Sequence, residues 1–256
     1  MKSRIITVGI GTSLVMLAAT GSHAEDGYDA PHDWPSPITE HSRGSLLVDR
    51  LEYASADKGE DALAWDFRAW YGGDLNRLYL KGEGENVQGD NEAAEFENLD
   101  LLYSRLIAPF WELQGGIGYQ GGIATDDHPG RYFGVINLQG LAPHRFETDI
   151  DLRVSDDGDI SAGLEGEYDL RLTQRTYLQP RVEIAVAGDD VPAFGVGEGL
   201  NSIRTGLRLR YEVTRKFAPY LGVYWEKAYG ETADLARIEG KDVEDTGIVA
   251  GLRFWY

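Results

Sequence analysis

The stretch from Ile160 to Leu172, ISAGLEGEYDLRL, decides the architecture. Its even positions (Ile160, Ala162, Leu164, Gly166, Tyr168, Leu170, Leu172) carry no charge, whereas four of its six odd positions, Glu165, Glu167, Asp169 and Arg171, do. In an extended chain successive side chains point to opposite faces, so a period of two gives one apolar and one charged face. Soluble strands usually run about 5–6 residues, and a tilted crossing of a bilayer needs about 9–11. This run of 13 residues suits a strand with lipid on one side and water on the other.

The same alternation recurs along the chain. Leu63, Trp65, Phe67, Ala69 and Tyr71 alternate with Ala64, Asp66, Arg68 and Trp70, and Phe146, Thr148, Ile150, Leu152 and Val154 with Glu147, Asp149, Asp151 and Arg153. Ile203, Thr205, Leu207, Leu209 and Tyr211 alternate with Arg204, Arg208, Arg210 and Glu212. The pattern predicts strands near 44–53, 62–71, 75–85, 95–108, 110–121, 131–142, 145–155, 160–173, 176–187, 202–213, 217–228 and 246–256. The connections expected after every second strand are very short, around Gly72-Gly73, Pro109, Pro143-His144, Gln174-Arg175 and Arg215. The others are mostly longer and rich in Gly and Asp. Short turns at one rim and longer loops at the other are the pattern of an outer-membrane barrel. The fold class expected is therefore all-β: a transmembrane antiparallel up-and-down β-barrel of about twelve strands with a short N-terminal periplasmic extension. Aromatic residues near strand ends (Tyr71, Phe110, Trp111, Tyr132, Phe146, Tyr177, Phe217, Tyr220, Tyr229) suit an interfacial girdle.

Composition narrows function. With 24 Lys and Arg against 43 Asp and Glu, the formal charge of −19 argues against nucleic acid as a partner. The absence of cysteine removes disulfides, thiolate metal sites and a cysteine nucleophile. Lys2 and Arg4 precede an apolar run from Ile5 to Ala19 that ends in Ser22-His23-Ala24, which reads as a signal peptide over residues 1–24. Residues 25–42, with Pro31, Pro35 and Pro37, lack alternation and read as the periplasmic extension, leaving 43–256 as the outer-membrane barrel with both termini in the periplasm. Met1 and Met16 leave with the signal peptide, so the mature chain has no sulfur ligand.

Twelve strands enclose a narrow lumen, wider than the side-chain-filled interior of an eight-stranded barrel. Pairing the seventh and eighth strands through Asp156–Asp159 sets Glu147, Asp149 and Asp151 approximately opposite Glu165, Glu167 and Asp169, an acidic wall in the lumen. Pairing the eighth strand to the ninth brings Arg181 toward Asp169 and Glu183 toward Glu167, and neutral Asn137 and Gln139 flank the patch. Like charges directly opposite cost about 0.2–1 kcal/mol per pair without a counter-charge. Two readings stay open for the wall: a solvated surface with arginines folded across it, and a cation path. Arg204, Arg208 and Arg210, with Arg77 and Lys81, furnish basic walls elsewhere.

Five blocks carry a resemblance: LLYSRLIAPFWELQGGIGY (101–119), GLAPHRFETD (140–149), EYDLRLTQRTYLQPRVE (167–183), GLRLRYEVTRKFAPYLGVYWEKAYGETADLAR (206–237) and GIVAGLRFWY (247–256). In this order they resemble the copper resistance protein B family of outer-membrane proteins, from about Ser42 to Tyr256. The resemblance implies an outer-membrane barrel in copper homeostasis. The resemblance further implies that the barrel binds or passes copper ions and cooperates with a periplasmic multicopper oxidase. Longer members carry a Met- and His-rich segment before the barrel, whereas residues 25–42 contain no Met. Thioether suits Cu(I), while imidazole and carboxylate suit Cu(II), so bound copper is expected as Cu(II). The candidate ligands are His32 with Asp33, His41, His128 after Asp126-Asp127 in a long loop, and His144 in a short turn. Each also reads as an ordinary surface or turn residue.

Catalysis is not expected. No Gly-x-Ser-x-Gly elbow occurs, and the mature histidines fall in the tail, a loop and a turn, with no nucleophile and orienting group beside them. A general small-solute channel, or a structural barrel without copper binding, fits the alternation equally well, and copper rests on the family resemblance.

Overall fold

The computed structural model describes residues 42–58, 61–87, 95–122 and 130–256. The expected signal peptide and the extension through His41 lie outside these residues, and with them His32, Asp33 and His41; so does His128.

Twelve long strands form the wall: β1 (Arg43–Ala56), β2 (Ala62–Gly72), β3 (Asn76–Val87), β4 (Glu95–Ala108), β5 (Trp111–Gly122), β6 (Arg131–Ala142), β7 (Phe146–Ser155), β8 (Ile160–Glu167), β10 (Thr176–Ala187), β11 (Gly199–Tyr211), β12 (Phe217–Ala228) and β13 (Glu244–Trp255). A two-residue strand, β9 (Leu170–Arg171), continues β8. Neighbours pair antiparallel, and β13 pairs back onto β1, from Leu47 against Trp255 to Ala56 against Gly247, closing the sheet without an edge. The strands fall within about three residues of their expected positions, because alternation over ten or more residues leaves little room for error.

The eighth strand is the one that breaks. Arg181 pairs with Glu167 and Leu178 with Leu170, so the register runs on unchanged across Tyr168 and Asp169. Pro180 stands opposite the interruption. It accepts from Tyr168 N–H at 3.2 Å but has no N–H to donate, and one rung is missing.

Polarity is inverted relative to a soluble protein. Leu164, Leu207, Leu221, Ile117, Ile136 and Ile248 are exposed on the outer face, while Asp49, Arg50, Glu52, Asp100, Arg181 and Arg208 are buried in the interior. This is the outward apolar band and polar lumen of a barrel whose solvent is lipid. Part of the interior is apolar: Tyr79, Leu102, Phe133 and Val135 pack together on the β3–β6 side. Short connections gather at one end (the turn end) and longer ones at the other (the loop end). At the loop end a helix that the sequence pattern does not anticipate, α1 (Gly230–Ile238), packs beside β11. Asn201 holds it there, donating to Gly197 O at 2.7 Å and Thr232 Oγ1 at 2.8 Å.

Candidate functional site

The expected acidic wall exists, in a register displaced by two residues. Glu147 pairs with Glu167, Asp149 with Glu165 and Asp151 with Gly163; across the next seam Arg181 faces Glu167 and Glu183 faces Glu165. Turn geometry causes the shift. Ser155 N–H donates to Asp159 O and Gly158 N–H to Ser155 O, with Gly158 in the left-handed region at φ 97°, so three residues separate the closing pair. Thr173 closes the next turn in a similar way, its Oγ1 accepting from Arg175 N–H at 3.2 Å and Thr176 N–H at 3.0 Å. Asp169 therefore leaves the wall for Arg210, whose Nη2 lies 2.5 Å from its Oδ2. Gly163 gives Asp151 its space, since a Cβ there would collide with that carboxylate.

One guanidinium organises the wall. Arg181 contacts Glu165 at 2.8 Å, Glu167 at 2.8 Å, Glu183 at 2.5 Å, and Asp49 and Asp66 at 3.9 Å. Asp66 sits on β2, nearly opposite β10 in the strand order, so this contact crosses the lumen. Further cross-lumen pairs join Lys81 to Asp149 at 2.9 Å, Arg153 to Asp100 at 2.6 and 3.0 Å, and Arg208 to Glu52 at 2.8 and 3.1 Å. Asn137 donates to Asp149, and Arg153 also reaches Asp151 at 2.9 Å. Arg171 takes no part: it donates to the Thr173 and Gln174 carbonyls at the turn.

Asp49 and Arg50 enter this network through a β-bulge. Val48 pairs with Phe67 and Arg50 with Asp66, leaving Asp49 as the extra residue, and both Asp49 and Arg50 are buried. Arg253 meets Asp49 at 2.7 Å, and Arg50 meets Glu83 and, at 3.6 Å, Glu183. A strict period of two cannot reveal two consecutive inward residues. Asp66 stands in the alternating set of its strand, so its inward direction was legible, and only its partner was hidden.

Beside the network lies a cavity of about 560 Å³. Its lining reaches from Phe110, Glu112 and Glu147 at the turn end to Glu85, Glu97 and Glu226 at the loop end. Thirteen carboxylate side chains line it against four cationic ones, Arg68, Lys81, Arg153 and Arg204. Arg50 and Arg181, outside this lining, pair with five of these carboxylates, Asp66, Glu83, Glu165, Glu167 and Glu183, and the charge that remains is acidic. Five of the six expected wall residues line it, and Asp169 does not. Among the described residues no three His, Asp or Glu side chains converge as a metal cluster. His144 is exposed in the Pro143–Arg145 turn at φ 69°.

The chain matches the family model described as copper resistance protein B precursor (CopB) over residues 42–256. It is 39% identical over 213 residues to copper resistance protein B of Escherichia coli, covering 82% of this chain and 69% of that protein. A copper resistance protein B homolog of Pseudomonas syringae pv. tomato matches with the same identity and the same coverage. Among solved structures, the NanC porin superposes with a TM-score of 0.51 at 12% identity, over 83% of this chain and 99% of that one, a likeness of fold alone. A barrel of this kind resides in the outer membrane, surrounded by lipid. With its model matched from the first described residue to the last and two relatives at 39% identity, the chain belongs to the copper resistance protein B family.

Proposed function

We propose that this protein serves copper resistance by passing copper ions across the outer membrane along the acidic side of its lumen. The observation that carries the reading is the cavity lined from one end of the barrel to the other by thirteen carboxylates and four cations. Passage needs sites that attract an ion and release it, and a row of weak carboxylate contacts meets that need. Oxygen ligands without thioether or thiolate suit hydrated Cu(II). In this reading residues 1–24 direct export, residues 25–42 and both termini lie in the periplasm, and the long loops face outward. His32, Asp33 and His41 then stand where Cu(II) emerges, with His128 and His144 at opposite rims, and a periplasmic multicopper oxidase is the partner at the inner side. No catalytic step is assigned to the barrel.

Flux into liposomes containing the purified barrel tests the proposal. Copper and zinc are compared with an uncharged sugar of similar hydrated size. Entry of the cations well ahead of the sugar supports the path, and a gain for copper over zinc supports its specificity. Equal entry of all three makes the barrel a general small-solute channel.

A further inference from the structure

A second pocket, of about 220 Å³, opens at the turn end of the lumen and reverses the sign of the first. Its walls carry Arg210, Arg215, Lys216 and Arg253 against two carboxylates, Asp169 and Glu212, which gives a formal excess of two positive charges. Arg210 is 4% exposed, and while its Nη2 binds Asp169 at 2.5 Å, its Nη1 is buried with no hydrogen-bond partner. Arg253 lines the pocket and is held from behind by Asp49, whose Oδ1 lies 2.7 Å from its Nε. Lys216 stands 5.2 Å from the Trp255 ring centre, and Trp255 is itself fixed by donating from Nε1 to Arg215 O at 2.7 Å. Buried guanidinium N–H groups require acceptors, and guanidinium forks match the paired oxygens of phosphate and carboxylate.

We infer that this pocket binds a small oxyanion of the phosphate class, with Arg210 and Arg253 as its principal ligands and Lys216 at its rim. Asp49 behind Arg253 offsets part of the walls' excess, and the positive charge that remains favours an oxyanion over a cation. The volume is below the roughly 300–1,000 Å³ of sites for larger organic ligands, which favours a small ion over a sugar chain or peptide. The inference is independent of copper passage, because it concerns the other side of the lumen.

The test uses the full chain in detergent micelles at constant ionic strength, with Trp fluorescence followed as inorganic phosphate is added against a chloride control. A saturable response to phosphate is expected, absent with chloride. It should weaken at least tenfold in Arg253→Gln and severalfold in Lys216→Gln, while Glu112→Gln in the other cavity leaves it unchanged. Lys216 lies exposed in a turn, so its variant keeps the test decisive if Arg253→Gln does not assemble. A second arm places the barrel in phosphatidylcholine vesicles with and without phosphatidylglycerol, in phosphate-free buffer. A response there that is lost in the same variants identifies a lipid headgroup as the source of the oxyanion. Absence of response in both arms, or equal responses in wild type and both variants, overturns the inference.

Discussion

Arg208 on β11 grips Glu52 on β1 across the lumen through two hydrogen bonds of 2.8 and 3.1 Å, between residues 156 apart in the chain. Glu52 is fully buried and the Arg208 side chain is 5% exposed, so the pair stands away from water. Removing one partner of such a pair strands a buried charge, at a cost of about 3–5 kcal/mol. We expect Glu52→Gln to lower barrel stability by that order in urea unfolding followed by heat-modifiable gel mobility. The double variant Glu52→Leu with Arg208→Met should recover most of the loss, because buried pairs replaced by apolar residues of similar size are often neutral.

Arg181 is the cation shared by the acids at the edge of the large cavity. Replacing it by Gln leaves Glu165, Glu167 and Glu183 without their nearest cation. Single-channel recordings in planar bilayers should show a larger cation conductance and a reversal potential shifted further toward the cation limit, with reduced stability.

The acids expected from the sequence to form one wall should separate into two groups. Glu147 and Glu165 line the large cavity, whereas Asp169 pairs with Arg210 in the basic pocket. Cation flux into liposomes should fall severalfold in the double variant Glu147→Gln with Glu165→Gln and stay near wild type in Asp169→Asn. Equal losses in both would place the path elsewhere.

The outer face can be probed directly. Leu221 on β12 is 64% exposed and lies between Leu209 and Ala250 on the neighbouring strands. Leu221→Arg should destabilise the barrel by about 2–4 kcal/mol if it lies near the bilayer midplane. Asn98→Arg, in the cavity wall, should cost far less in the same refolding assay, since water surrounds the new charge.

At the loop end, Asp190 and Glu231 share a hydrogen bond. The hydrogen bond to Asp190, and then repulsion from it, raises the Glu231 carboxyl above its ordinary 4.5, while the Glu198 N–H, then Glu231, lowers Asp190 below 3.8. The Glu231 contribution is present below its unfolded value and fades as pH rises through its raised folded value. The Asp190 contribution is present above its unfolded value and fades as pH falls through its lowered one. Protection factors at residues 188–198, that is exchange corrected for its intrinsic pH dependence, should therefore be highest in the acid window between the two and lower at neutral pH. Protection factors that stay constant from pH 3 to 7 would show that the contact contributes nothing to local stability.

The period of two, the strand count, the alternation of short and long connections and the outward apolar band all follow from the chain's own order, because each is a local consequence of which side of a strand meets lipid. The acidic residues of β7 and β8 were legible in the same way, and the family blocks added copper to them. Three features depended on the tertiary structure. Turn geometry at Ser155–Asp159 and Thr173–Thr176 moved the register by two residues, which keeps each side chain on its face but changes its neighbour. The bulge at Asp49 broke the period that would have revealed it. Closure of β13 onto β1 brought Arg208 to Glu52 and Arg181 to Asp66, distances set by the curvature of the whole sheet. Alternation therefore determined which charges face inward, and only the closed barrel decided which of them meet, dividing the lumen into an acidic cavity and a basic pocket.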